Sequence, residues 1–213
     1  MRKIGVMGGM FDPVHRGHLA VATEALNVLD LDELRMVPCH LPSHRGPAAA
    51  SAQDRVAMLR LATEYDRRLL IDERECFRFG VSYTVDTLEA LRREFSQDSL
   101  VLVMGADAFR GLAGWHCWQQ IPQLAHIAVV SRPGVLNEIP DACASELQGR
   151  QVACAEQLFA ARKGKLIMLS NLQLEISSTL VREKLESHDA IDTLLPDAVA
   201  GYIKVHGLYR AVG

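Results

Sequence analysis

The amino-acid sequence predicts an α/β fold, a doubly wound open parallel sheet, and three observations point to it. Short apolar segments alternate with longer amphipathic ones along the chain, as when parallel strands are joined by crossing helices. Two of those segments, Val101-Leu102-Val103-Met104 and Ile127-Ala128-Val129-Val130, are continuously apolar, as expected of strands covered on both faces. A length of 213 residues, with 49% hydrophobic and 23% charged residues, suits one ordinary globular core.

The elements follow in order. Strands are predicted at Lys3 to Met7, Glu33 to Pro38, Arg68 to Asp72, Leu100 to Met104, His126 to Ser131 and Lys165 to Leu169. Helical patterns lie between and after them, at Gly17 to Leu29, Ala52 to Tyr65, Val81 to Phe95 and Ser177 to Ser187. In the first of these, Leu19, Ala22, Ala25, Leu26 and Leu29 fall on one face at helical spacing. Pro196 opens a last helix through Tyr202 and Val205, which Gly207 ends. The stretch at about 134–164 holds Gly, Pro, many Ala and charges, with an uneven helical pattern around Ala144 to Ala161. It is expected to be a helical insertion on the sheet, within a single domain spanning 1–213. No internal repeat or low-complexity tract divides the chain.

Composition removes several function classes. A formal charge of −3 argues against a broad basic face, so nucleic acid is not an expected partner. A phosphate site needs only a few local donors and remains open. The five cysteines (Cys39, Cys76, Cys117, Cys143, Cys154) are scattered and form no Cys-x-x-Cys pair. Neither a disulfide framework nor a structural zinc site is expected, and a reducing cytoplasm is the natural setting. No apolar run reaches the ~20 residues of a membrane helix. The opening MRKIGVMGG resembles a signal peptide only until Asp12, His15, Arg16 and His18 interrupt it, so a buried first strand is the better reading.

The richest segment is Gly8-Gly9-Met10-Phe11-Asp12-Pro13-Val14-His15-Arg16-Gly17-His18-Leu19, directly after the first strand and opening the first helix. In an open α/β sheet, ligands bind at this carboxyl end of the strands. Unpaired N–H groups and the dipole at a helix start favour an anion such as phosphate. The segment is neither a G-x-G-x-x-G fingerprint nor a Walker A loop. His15 and His18, three residues apart, project from nearly one helix face. Read in isolation, they could serve capping and packing instead. Zinc fits less well, because His40, His44 and His116 supply no recognisable ligand spacing, and no protein-held metal is expected. A second segment, Ile176-Ser177-Ser178-Thr179-Leu180-Val181-Arg182, places two hydroxyls at a helix start and a guanidinium one turn further on.

Together these segments resemble the HxGH nucleotidylyltransferases, and GGMFDPVHRGHL is similar to the corresponding segment of nicotinate-nucleotide adenylyltransferases. The resemblance continues through Pro42-Ser43-His44-Arg45, Asp72-Glu73-Arg74-Glu75, Ser82-Tyr83-Thr84, Gly105-Ala106-Asp107, Trp115, Arg132-Pro133-Gly134, ISSTLVR and Gly207-Leu208-Tyr209-Arg210. It implies a Rossmann-like nucleotidylyltransferase fold and adenylyl transfer from ATP to nicotinate mononucleotide, with both nucleotides as partners. The products would be deamido-NAD and pyrophosphate. By resemblance His15, His18 and Arg182 are catalytic. Gly8, Gly9, Met10, Phe11, Gly105, Asp107, Ile176, Ser177 and Ser178 would join them in holding ATP. His44, Tyr83, Thr84, Asp107, Trp115 and Arg132 would meet the acceptor. Mg²⁺ would arrive on the ATP phosphates.

Two departures stand out. Met10 replaces a usual Thr or Ser, and Cys39-His40 with Ser43 differ from the usual loop. They leave open another phosphorylated acceptor, such as nicotinamide mononucleotide or phosphopantetheine, or a nucleotide-binding module without catalysis. The sequence does not fix the oligomeric state and leaves a homo-oligomer open.

Overall fold

Every strand pairing in the computed structural model, which describes residues 1–41, 46–78, 80–131, 138–169 and 176–210, is parallel. In chain order the elements are β1 (Lys3–Gly9), α1 (Arg16–Val28), β2 (Glu33–Pro38), α2 (Ala52–Thr63), β3 (Leu69–Ile71) and α3 (Thr84–Glu94). There follow β4 (Ser99–Gly105), α4 (Ala106–Arg110), α5 (Ile121–Leu124), β5 (His126–Val130), α6 (Ala144–Leu147), β6 (Gln151–Val152) and α7 (Ala155–Phe159). The last are β7 (Leu166–Leu169), α8 (Ser178–Glu186) and α9 (Asp197–His206). The sheet order is β3-β2-β1-β4-β5-β7-β6. From β1 the chain first moves outward through β2 and β3, then returns to the other side of β1 for β4. The β1/β4 boundary is thus the topological switch point, where a crevice opens at the strands' carboxyl ends.

Alternation along the strands builds two cores. In β4, Leu100, Leu102 and Met104 pack with Leu88 and Leu91 of α3, Phe109 of α4 and Ile121 of α5. The intervening Val101 and Val103 join Ala22, Ala25 and Leu26 of α1, Met58 and Leu59 of α2, and Val199 and Ile203 of α9 on the opposite face. Burying one such leucine or isoleucine contributes about 1.5–3 kcal/mol, so both helical layers are held firmly to the sheet.

Three local differences from the sequence reading have physical causes. β1 runs on to Gly9 because β2 pairs with it through Gly8↔Val37 and Gly9↔Pro38, and Cys39 N–H donates to Gly9 O at 3.0 Å. α3 begins at Thr84 rather than Val81 because Ser82 is drawn to the loop after β2. Its N–H donates to Leu41 O at 2.8 Å, and its hydroxyl accepts from His40 N–H at 3.2 Å. Finally, the stretch expected to be a helical insertion holds α6 and α7 but also β6, an edge strand paired through Gln151↔Leu166 and Val152↔Ile167. Two residues are too short to show a period of two, so the sequence carries no strand signal there. No described helix is long and apolar enough to cross a membrane.

Candidate active site

The loop from β1 to α1 sits at the switch point and is built around its two histidines. His15 is the N-cap of α1, with extended backbone at φ −142° and ψ 169°. Its Nδ1 accepts from His18 N–H at 3.3 Å, and the Nδ1 of His18 accepts from His15 N–H at 3.3 Å. This is a capping box made of imidazoles. Because both Nδ1 atoms accept, the hydrogen-bond network assigns the proton of each neutral ring to Nε2. The rings stack with centroids 3.7 Å apart, and His18 meets the Phe11 ring edge-on at 5.0 Å. Burial pushes the His15 pKa down to about 4, so it is a neutral donor at physiological pH.

The glycines of this segment differ in their surroundings. A Cβ on Gly17 would lie 3.0 Å from His15 Nδ1 and 3.3 Å from Ile176 Cβ, so a side chain there would push the His15 ring or Ile176 aside by a few tenths of an ångström. A Cβ on Gly9 would press on the Phe11 ring at 3.0 Å. Beside Gly8 nothing lies within 4 Å, which leaves that backbone approachable. Phe11 itself has φ +49°, a left-handed conformation that a bulky residue adopts only when its surroundings enforce it.

The enforcing contacts come from distant parts of the chain. The Asp12 carboxylate, 4% exposed, accepts from Ala49 N–H at 2.7 Å, Ala50 N–H at 3.0 Å and Tyr209 O–H at 2.8 Å. Burial, together with the adjacent Asp12 charge, pushes the Tyr209 phenol well above its ordinary range, so it stays a donor. The start of α8 closes on the same loop. Ser178 Oγ donates to Pro13 O at 3.1 Å, and Arg182 Nη1 donates to Asp12 O at 2.7 Å. Ser177 caps α8 by accepting from Leu180 N–H. The structure therefore docks Arg182 on the loop that carries His15 and His18, although it lies 170 positions beyond its partner Asp12.

Of the other predicted residues that are described, Tyr83, Thr84, Gly105, Asp107 and Trp115 stand at the end of β4 or in segments that follow β3 or β4. Gly105 is the N-cap of α4, and exposed Asp107 in its first turn pairs with Arg110. Tyr83 is the N-cap of α3, with half-buried Thr84 next to it, and the Tyr83 ring lies against His116 with centroids 4.3 Å apart. Ser82 is tied to the loop after β2, while His116 lies beyond α4, so this ring pair links segments that follow different strands. Trp115 is half-buried and packs against the core cluster of α3 to α5. Met10 and Cys39, one from each departure noted above, touch through sulfur atoms 3.9 Å apart. His44 and Arg132, like Arg45, lie outside the described residues.

Sequence reasoning missed the roles of Asp12 and Tyr209, weighed His116 only as a zinc ligand, and missed Arg55 altogether. Arg55 is 1% exposed and donates to Met10 O and Cys39 O, both at 2.8 Å. A signal existed for Arg55 alone, a charged residue one turn before Leu59 on the apolar face of α2.

Chemically, this edge offers imidazole and guanidinium donors, with an approachable backbone, to a polyphosphate. Residues 6–184 match the family model described as Cytidylyltransferase-like, and that class is the one this sheet and loop define. The chain is 44% identical to a probable nicotinate-nucleotide adenylyltransferase of Pseudomonas syringae pv. tomato, over 99% of this chain and 95% of that one. It is also 44% identical to one of Dechloromonas aromatica, over 97% of each. The chain belongs to the nicotinate-nucleotide adenylyltransferase family, whose members are nucleotidyltransferase enzymes. The fold is also that of Plasmodium falciparum nicotinic acid mononucleotide adenylyltransferase complexed with NaAD, with a TM-score of 0.74 at 16% identity over 98% of each chain. The same enzyme complexed with APC gives a TM-score of 0.72.

Proposed function

We propose that this protein transfers the adenylyl group of ATP to nicotinate mononucleotide, releasing pyrophosphate and nicotinate adenine dinucleotide. The observation that carries the mechanism is the reciprocal histidine pair at the switch point, with Arg182 delivered to the same loop. An oxygen of the acceptor phosphate attacks the α-phosphorus in line, the bond to the bridging oxygen breaks, and pyrophosphate leaves. No covalent protein nucleophile is needed. The protein positions both substrates and neutralises charge on the equatorial and leaving oxygens. His15, kept neutral by burial, and His18 donate from Nε2, Arg182 adds a positive charge, and the Gly8–Phe11 backbone and the α8 start line the triphosphate. Gly105 and Asp107 complete the ATP side. Tyr83, Thr84 and Trp115, with His44 and Arg132, form the acceptor side.

Mg²⁺ fits this site as a passenger on the triphosphate, where it would offset phosphate charge. Among the described residues no three His, Cys, Asp or Glu side chains converge as a metal cage. The Asp12 carboxylate is already committed to backbone and Tyr209 donors.

The test is pyrophosphate release from Mg-ATP with nicotinate mononucleotide, nicotinamide mononucleotide and phosphopantetheine offered separately. Preference for the first acceptor is expected, and turnover with another alone would overturn the assignment. His18→Ala is expected to reduce turnover by roughly two to three orders of magnitude, the scale of one lost transition-state donor.

A further inference from the structure

Arg55 is a buried cation that the mechanism above does not use. Its Nη1 spends both hydrogens on backbone carbonyls, those of Met10 and Cys39, and its Nε has no partner. Burying a guanidinium against two neutral carbonyls, with one donor unsatisfied, is unfavourable for stability. What the arrangement achieves is geometric.

Met10 stands in the loop after β1 and Cys39 in the loop after β2, so one guanidinium joins the two loops at the switch point. A trans peptide sends the next N–H opposite to its carbonyl. Turning the Met10 carbonyl inward therefore turns the N–H of Phe11 away from Arg55, and it fixes the peptide entering the left-handed Phe11. Turning the Cys39 carbonyl inward likewise sets the His40 N–H, which donates to Ser82 Oγ beside Tyr83. The hold is reciprocal. Asp12 of the first loop accepts from Ala49 and Ala50, immediately before the Ser51 cap of α2, the helix that carries Arg55.

We infer that Arg55 is a positioning residue that locks the nucleotide loop and the acceptor loop in register with each other. The inference rests on the adenylyl-transfer reading for the meaning of the two loops, but its test begins with binding alone.

Calorimetric titration with a non-hydrolysable ATP analogue is applied to wild type, Arg55→Met and Arg55→Lys, all below their melting temperatures. Arg55→Met is expected to weaken analogue binding about tenfold or more and to raise KM for both substrates, since small misplacements are amplified in such sites. Arg55→Lys keeps the cation, supplies the same readout should Arg55→Met not fold, and is expected to fall between the two. A lowered Tm with analogue affinity and both KM values within about twofold of wild type would reduce Arg55 to a structural role and overturn the inference. Wild type that binds the analogue but does not use nicotinate mononucleotide would instead defeat the acceptor assignment, and the Arg55 affinity ratio would still decide this one.

Discussion

At the scale of single residues, the site depends on atoms that are missing as well as on those present. Gly17 occupies the second position of α1 with no positive φ, so helix propensity alone favours alanine there by about 1 kcal/mol. Its Cβ would nevertheless meet the His15 ring at 3.0 and 3.1 Å and Ile176 at 3.3 Å. Gly17→Ala is therefore expected to leave the melting temperature nearly unchanged while turnover falls by about two orders of magnitude, because the displaced ring carries a donor proposed for the reaction. Paired pyrophosphate-release and thermal-melt measurements read both quantities, and unaltered turnover would show that the ring has room to give. Tyr209 makes the complementary case. Tyr209→Phe keeps the ring and removes only the donor to Asp12 Oδ1, which still accepts from Ala50 N–H, so a loss of about 1–2 kcal/mol in urea unfolding is expected from one lost hydrogen bond to a buried carboxylate.

At the scale of elements, α8 is docked onto the β1–α1 loop by polar contacts from Ser178 and Arg182, while the buried Val181 anchors its apolar face. Arg182→Lys keeps the charge and loses the planar fork that reaches both Asp12 O and Thr179 Oγ1. Turnover is expected to drop about tenfold to a hundredfold with the far-UV circular dichroism unchanged; a lysine enzyme of wild-type activity would assign Arg182 to charge alone. The histidines and Arg182 were legible because each sits inside a short contiguous segment whose spacing carries meaning. The central strands were legible for a similar reason, since burial on both faces leaves an unbroken apolar run. The partners that hold the site are of another kind. Tyr209 reaches Asp12 across nearly the whole chain, and Arg55 reaches Met10 from a different helix. No local pattern encodes such a contact. The start of α3 was misplaced for the same reason, as Ser82 is claimed by His40 and Leu41 rather than by its own helix.

Across the whole molecule, two histidines far apart share one electrostatic design with a consequence for stability. His15 Nδ1 accepts from His18 N–H, and His126 Nδ1 at the start of β5 accepts from Lys165 N–H at 3.2 Å. His126 Nε2 lies 3.1 Å from Ala161 O, so its neutral ring is satisfied at both ends. Burial lowers the pKa of each to about 4. Protonation would put a donor on Nδ1 against a backbone donor, which adds to the burial penalty. In the unfolded chain both rings titrate at the ordinary value near 6.5. Between about pH 6.5 and pH 4 the unfolded state therefore binds more protons than the folded state, and unfolding free energy falls as pH falls. The slope approaches about 1.4 kcal/mol per pH unit for each histidine once the unfolded ring is fully protonated. Glu75 works in the opposite sense, since burial raises its carboxyl above the ordinary range and favours the fold at low pH. Asp54, Asp66 and Asp72, held below the ordinary carboxylate range, act in the same sense as the histidines at the acid end, so the net sign stays with the histidines. Urea unfolding at about pH 7.5 and about pH 5 is expected to show a lower midpoint in acid, and His126→Gln should remove roughly half of the difference. Equal midpoints in wild type would mean that both rings take up their protons without leaving the fold. The hydrogen bonds that fix the Nε2 proton of His15 would then not be what keeps that ring neutral for catalysis.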